Sequence, residues 1–228
     1  SSNLLSPTRL YFFRRTVVAL CKFVTFEPLN ALCRAMRRPP LYILRHGQTT
    51  WNAAQRIQGS LDSPLTSLGR SQALGQQRIL RGCDLSGFRA VSSPQGRAVG
   101  TARIALAGLI DAIETDNRLA EIGVGAWEGS LRCDLPVPAP VEGEEETALD
   151  LYMRAPQGEG FDALHARCLA FLATFNSPAV LITHGITSRM LRVILTGLSR
   201  EDLSRIDGGQ GCVFRIEDGV QTKLTIGA

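Results

Sequence analysis

The chain has 228 residues, 44% hydrophobic and 20% charged, which suits one compact domain with a full apolar core and excludes a wholly disordered or membrane-embedded polypeptide. Its net charge of +4 is concentrated in residues 1–40, where seven basic side chains (Arg9, Arg14, Arg15, Lys22, Arg34, Arg37, Arg38) face one acid, Glu27; the other 188 residues hold 18 basic and 20 acidic groups. The body is therefore not a polyanion-binding domain, and no nucleic-acid partner is expected.

Residues 1–40 read as a basic leader that closes on Pro39-Pro40. The longest apolar stretch, Thr16 to Phe26, is broken by Lys22 and is shorter than the ~20 residues of a spanning helix, so no firm membrane association is expected. Rich in Arg and poor in acids, the segment fits an organellar transit peptide, an amphipathic surface helix or a loosely ordered leader. Six cysteines (Cys21, Cys33, Cys83, Cys133, Cys168, Cys212) are scattered without a CxxC pair. They read as reduced structural thiols of a cytosol-like compartment, neither a zinc site nor a disulfide framework, and a cytoplasmic location is expected unless the leader is a targeting signal.

From Leu41 onward, short apolar runs alternate with longer amphipathic segments, the pattern of a three-layer α/β/α sandwich with a mostly parallel central sheet, so that residues 41–228 are expected to form one domain. Leu41 to Leu44 is a buried strand that runs straight into Arg45-His46-Gly47. A helix follows over Thr66 to Leu80 with Thr66 as N-cap, then a strand over Phe88 to Ser92 and a helix over Pro94 to Leu109 with Pro94 in its first turn. A short strand is expected at Ala112 to Thr115. The Pro- and Glu-rich stretch from Leu135 to Gly160 reads as a loop carrying one helix near Glu144 to Met153. Phe161, Leu164, Cys168, Leu172 and Phe175 recur at steps of three or four and predict a helix over Phe161 to Asn176. Ala179 to Thr183 is a second buried strand that ends in His184-Gly185, before a helix over Ile186 to Leu195. Cys212 to Ile216 and Lys223 to Ile226 form a hairpin around Asp218-Gly219. Two strands thus end in His-Gly at their C-terminal edges, where open α/β sheets bind ligands.

At the first of these edges Gly47 lets backbone approach a ligand closely, and Arg45 offers a planar fork of donors matched to phosphate oxygens. An imidazole beside such a cation tends to be neutral at pH 7, as a nucleophile must be. The tripeptide alone is as compatible with a hydrogen-bonded structural histidine. His165, at the border of the apolar face of the Phe161 helix, reads as a surface or packing residue. Trp51 and Trp127 fit either the mouth of a pocket or ordinary packing.

The run continues as Leu44-Arg-His-Gly-Gln-Thr-Thr-Trp-Asn52, Gln58-Gly, Asp62-Ser-Pro-Leu-Thr66, Gly69 and Gln72-Ala73. Further on come Ser92-Ser-Pro-Gln-Gly-Arg97-Ala, Leu119-Ala-Glu121, Gly125, Trp127-Glu-Gly129 and Thr183-His184-Gly185. From Leu41 to Ile194 this closely resembles the histidine phosphatase superfamily, which includes the cofactor-dependent phosphoglycerate mutases and many small phosphatases. The resemblance implies that His46 accepts a phosphoryl group as phosphohistidine, that Arg45, Asn52, Arg97 and His184 hold its oxygens, and that Glu121 is the catalytic proton donor, with Glu128 as the neighbouring alternative. It places His184 in the catalytic set as well, as a donor whose pKa a nearby phosphate would raise. Side-chain cations then supply the positive charge, so the expected cofactor is none and no metal ligand set is expected. In place of the family's frequent Gly-Glu-Ser, this chain has Gly158-Glu159-Gly160, which puts a helix cap or pocket contact there in doubt.

A small phosphorylated substrate is the expected partner. The compact stretch between Glu121 and His184 is shorter than the insert the resembled mutases usually carry, which favours hydrolysis of the intermediate by water over its protection. Phosphoglycerate mutase activity and a catalytically inactive phosphate-binding protein are the alternatives; the oligomeric state, a homodimer included, is open.

Overall fold

The computed structural model describes residues 38–135 and 149–227. The basic leader expected over residues 1–40 lies outside the described residues apart from 38–40, as does the part of the expected Glu144 helix before Leu149. The elements in chain order are β1 (Leu41–Arg45), α1 (Thr50–Ala53), α2 (Ser67–Arg81), β2 (Arg89–Ser92), α3 (Gly96–Ala105), β3 (Ile113–Thr115), α4 (Asp150–Met153), α5 (Gly160–Ala173), β4 (Ala179–Thr183), α6 (Gly185–Thr196), β5 (Val213–Glu217) and β6 (Val220–Leu224), with short 3-10 turns at Asn117–Leu119, Gly125–Trp127, Arg132–Asp134 and Arg200–Ser204. Among the described residues no helix is long and apolar enough to cross a membrane.

The six strands form one sheet in the order β3-β2-β4-β1-β5-β6. The neighbours β3-β2, β2-β4 and β4-β1 are parallel, while β5 and β6 are antiparallel additions. Because side chains alternate across a strand, each central strand feeds two cores. Leu41, Ile43, Val91, Ala179 and Leu181 face one side, where they meet residues of α5 and α6 such as Leu164, Phe171, Met190 and Leu191. Tyr42, Leu44, Ala90, Val180 and Ile182 face the other, against Leu80 of α2 and Ala98 and Ala102 of α3. Both faces are thus covered, which explains why β1 and β4 read as continuous apolar runs. The architecture is the expected three-layer sandwich with a mostly parallel sheet.

Several boundaries differ from the expected ones for identifiable reasons. Thr66 does cap α2, its hydroxyl accepting from the N–H of Gly69 at 3.0 Å. In α3 the cap is Gln95 in extended conformation, so Pro94 stands before the helix instead of in its first turn. The apolar run continues to Leu109, but the helix stops at Ala105, and Gly108 at φ +71° turns the chain away. Helix α5 ends at Ala173, three residues earlier than its periodicity suggests; Phe175 still packs on the core from the following turn. Gly160 opens α5 at φ +72°, and Glu159 before it makes no side-chain cap bond. In the hairpin, Asp218 and Gly219 both have positive φ, as a two-residue type I′ turn requires. Pairing then resumes at once with Glu217 opposite Val220, so β6 begins three residues before the apolar Lys223–Ile226 run.

Candidate active site

Three neighbouring strands bring their C-terminal ends to one place. His46 follows β1, His184 follows β4 and Ser93 follows β2, and the sheet pattern extends one residue beyond each pair, with His46 N–H donating to Thr183 O at 3.0 Å and Ser93 N–H to Ile182 O at 2.8 Å. The two imidazole rings lie 5.1 Å apart, centroid to centroid, and are tilted by 59°. Gln76 of α2, fully buried, ties this edge together by donating from Nε2 to the carbonyls of Arg45 and Cys212.

His46 is 2% exposed and lines a cavity of about 340 Å³. Its Nδ1 lies 2.7 Å from the Gly47 carbonyl. A carbonyl can only accept, so Nδ1 carries the ring proton and Nε2 keeps its lone pair. Burial, followed by the charges of Arg45 and Arg97, pushes the His46 pKa well below 6.5. The imidazole is therefore neutral, as a nucleophile needs. Gly47 is held in turn, its N–H donating to Thr101 Oγ1 at 3.0 Å.

The arginines are fixed by backbone carbonyls. Arg97, in the first turn of α3 and 2% exposed, donates from Nη1 to Leu61 O at 2.6 Å and to Asp62 Oδ1 at 3.1 Å, and from Nη2 to Gly59 O at 3.0 Å. Its Nε is buried with no partner among the described residues. Arg45 Nη1 lies 3.4 Å from Gly208 O, and its Nε is likewise buried and unmatched. An unsatisfied guanidinium N–H is costly in isolation and suits an anionic ligand. Asn52 forms a capping box with Thr49, its Oδ1 accepting from Thr49 N at 3.1 Å. The amide NH2 is then what Asn52 has left to offer the cavity it lines.

Glu121 reaches the same cavity from the loop after β3. Its carboxylate accepts from Ile186 N at 3.2 Å and Thr187 N at 3.1 Å, two free donors in the first turn of α6, and from its own neighbour Ile122 N at 3.1 Å. Anions are favoured at such a helix start. Gln95 sets the loop by accepting from Glu121 N at 2.9 Å while donating to Gly59 O at 2.9 Å. Glu128, the alternative acid, is instead bonded to Ser60 and is not part of the cavity wall.

His184 is fully buried and is not among the residues that line the cavity. Its Nε2 is 2.7 Å from Ser93 Oγ and its Nδ1 has no partner among the described residues. Burial, then Arg97 and His46, lowers its pKa well below 6.5. The structure thus brings His46, Arg45, Asn52, Arg97 and Glu121 around one cavity, with His184 beside the His46 ring. His165 is half-buried on α5, Trp127 belongs to the apolar core, and Trp51 packs 5.6 Å from the Arg56 guanidinium. None of the three lines the cavity.

Sequence reasoning assigned no role to Gln48, Arg56, Gln58, Arg132, Tyr152 and Gln210, which line the cavity as well. Gln210 sits in an irregular Gly-rich loop without periodicity. It arrives because three arginines grip that loop: Arg189 Nε donates to Ile206 O, Arg192 Nη2 to Asp207 O and Arg45 Nη1 to Gly208 O. Gln210 then donates to His46 O at 3.3 Å and to Asn52 Oδ1 at 3.4 Å.

The model of the histidine phosphatase superfamily (branch 1) matches residues 41–223. The probable phosphoglycerate mutase GpmB of Yersinia pestis is 34% identical over 169 residues, which cover 69% of this chain and 75% of that protein. A putative alpha-ribazole-5'-P phosphatase from Escherichia coli shares the fold, with a TM-score of 0.68 and 24% identity over 84% of this chain and 97% of that one. The mycobacterial glucosyl-3-phosphoglycerate phosphatase Rv2419c, solved with VO3, superposes with a TM-score of 0.64 and 28% identity over 78% and 92% of the two chains. The chain belongs to branch 1 of the histidine phosphatase superfamily.

Proposed function

We propose that the protein is a phosphomonoester hydrolase that acts on a small phosphorylated metabolite through a phosphohistidine. The observation that carries this reading is the His46 tautomer. With Nδ1 committed to Gly47 O, the Nε2 lone pair of a buried, neutral imidazole shares a cavity with two arginines that have unmatched Nε–H donors. In the first step Nε2 forms a bond to phosphorus and the ester P–O bond breaks; the departing alkoxide takes a proton from Glu121. In the second, water gives a proton to the Glu121 carboxylate and attacks phosphorus, the N–P bond breaks, and inorganic phosphate leaves. Arg45, Arg97 and the Asn52 amide hold the equatorial oxygens throughout and spread their charge. A phosphoryl group bound at His46 would raise the pKa of His184, whose ring centroid lies 5.1 Å from that of His46.

The test is phosphate release from p-nitrophenyl phosphate and a panel of small phosphometabolites at mildly acidic to neutral pH in EDTA. Turnover that is lost in His46→Ala, and phosphohistidine that accumulates in Glu121→Ala, are expected. No release by the native protein from any ester would overturn the reading. The likeness to a protein named a probable phosphoglycerate mutase supports one competing activity in the same pocket. Isomerisation of 3-phosphoglycerate that outpaces phosphate release and depends on bisphosphoglycerate would favour it.

A further inference from the structure

Glu159, in the Gly158-Glu159-Gly160 stretch, precedes α5 yet makes no side-chain cap bond to it. It turns instead to the loop that carries Glu121. Its N–H donates to Gly123 O at 2.8 Å, and its Oε2 accepts from Gly123 N at 3.2 Å, so one residue matches both backbone polar groups of that glycine. The same carboxylate is paired with Arg167, about two turns along α5: Arg167 Nη2 donates to Oε2 at 3.0 Å and Nε to Oε1.

Arg167 has a further donor, and it goes to the other end of the same loop. Its Nη1 donates to Arg118 O at 2.7 Å. The ion pair thus holds residues 118–123 at both ends, with Glu121 between them. Gln95, Thr183 and Thr187 bind the middle, accepting from Glu121 N and donating to Leu119 O and Ala120 O respectively; the Glu159–Arg167 pair joins the ends. Each of its side chains is only 20% exposed, so the pair is shielded from the water and salt that weaken exposed bridges. A planar guanidinium against a carboxylate also fixes direction as well as distance. Neither residue lines the cavity. A general acid works only within hydrogen-bond reach of the leaving oxygen, and a misplacement of about 1 Å costs on the order of 10²-fold.

We propose that Glu159 and Arg167 are positioning residues for the acid, a clamp that fixes the reach of the Glu121 carboxyl to the leaving-group oxygen without meeting substrate. This inference rests on the phosphatase reading, in which Glu121 protonates the departing alkoxide.

Two esters test it: glycerol 3-phosphate, whose alkoxide must be protonated as it leaves, and p-nitrophenyl phosphate, whose nitrophenolate need not be. In Arg167→Met, kcat/KM is expected to fall about tenfold or more for the first, mainly through kcat, and by less than about threefold for the second. Arg167→Lys, which keeps the charge but lacks the planar fork, should recover part of the loss. In a Glu121→Gln background, Arg167→Met should lower the ratio of the two esters no further. Equal losses on both esters, or a loss that adds in full to that of Glu121→Gln, would show a structural part only and overturn the clamp. Where the unpaired Glu159 carboxylate prevents Arg167→Met from folding, the double variant Glu159→Gln with Arg167→Met removes both charges and carries the same comparison.

Amide hydrogen exchange separates the clamp from the reaction it serves. Arg167→Met is expected to speed exchange over residues 118–123 and to leave β1 and β4 unchanged. If the native protein hydrolyses no ester but this local change is seen, the phosphatase reading fails and the clamp on the loop stands. Unchanged exchange over residues 118–123 removes the clamp whatever the turnover.

Discussion

The backbone N–H of Thr187 and its hydroxyl both approach Oε1 of Glu121 at 3.1 Å. The hydroxyl has one proton, and its shorter contact is to Ala120 O at 2.7 Å. Its lone pair is thus free to accept from Glu121 when the carboxyl carries the proton. Glu121→Gln should lower kcat/KM for alkyl phosphates by about 10²- to 10⁴-fold, and for p-nitrophenyl phosphate far less, because nitrophenolate leaves without protonation. Thr187→Val, which keeps the N–H, should show the same dependence on leaving group at smaller size. Kinetics across a series of leaving groups checks both; losses that ignore leaving-group basicity would contradict the acid role.

Both site histidines are held neutral by burial and by arginine charges, with pKa values well below 6.5. The acid limb of kcat/KM should therefore fall well below 6.5 instead of at the usual imidazole value. The same shift bears on stability. Near pH 6 the unfolded chain binds protons at both imidazoles while the folded chain does not, so stability is full above about 6.5 and drops as pH falls below it. Each histidine contributes a slope of up to about 1.4 kcal/mol per pH unit. Urea denaturation of the native protein and His184→Gln between pH 7.5 and 5 should show a shallower decline in the variant.

A Cβ on Gly69 would meet the Gln48 carbonyl at 2.0 Å, and one on Gly47 would meet Gly69 O at 2.2 Å. Helix α2 and the loop after His46 touch backbone to backbone. Gly69→Ala should cost about 1–3 kcal/mol through overpacking and should lower kcat, because Gln48 shares the cavity with His46. Gly82→Ala, where the nearest atom is 3.4 Å away, is the near-neutral control in the same urea experiment.

Arg192 is fully buried, lies 3.8 Å from the Phe214 ring centroid, and donates to Asp207 O, Ser188 O and Gln221 Oε1. It never touches the cavity, yet it holds the loop that delivers Gln210. Arg192→Met should cost roughly 2–4 kcal/mol by orphaning buried acceptors, and should speed amide hydrogen exchange over residues 207–211. Unchanged exchange there would remove Arg192 from any positioning role.

Much of this site could be read from the chain because its key groups sit where local patterns end. His46 and His184 each follow a run of buried β residues, Thr66 is an N-cap at the place its neighbours predict, and Arg97 falls in the first turn of a recognisable helix. What could not be read depends on pairings between distant stretches. The partnership of residues 55–57 with 129–132 leaves no periodic trace, so Arg56 and Arg132 pass for solvated surface charges. The loop of Gln210 is placed by arginines from two other elements. Periodicity also overran α3 and α5, since a helix's apolar rhythm continues into a turn that still packs on the core.

The pairing of β1 with β4 sets Arg45 opposite Thr183, so the two histidines are the next rung of one ladder. Side chains alternate across a strand, and a slip of a single residue would send one imidazole to the opposite layer of the sandwich. The sheet acts here as a ruler: main-chain bonds made throughout the core calibrate the spacing of the two rings at its rim. Any change that loosens the ladder should therefore cost catalysis before it costs the fold, and the enzyme's accuracy is stored in its most deeply buried hydrogen bonds.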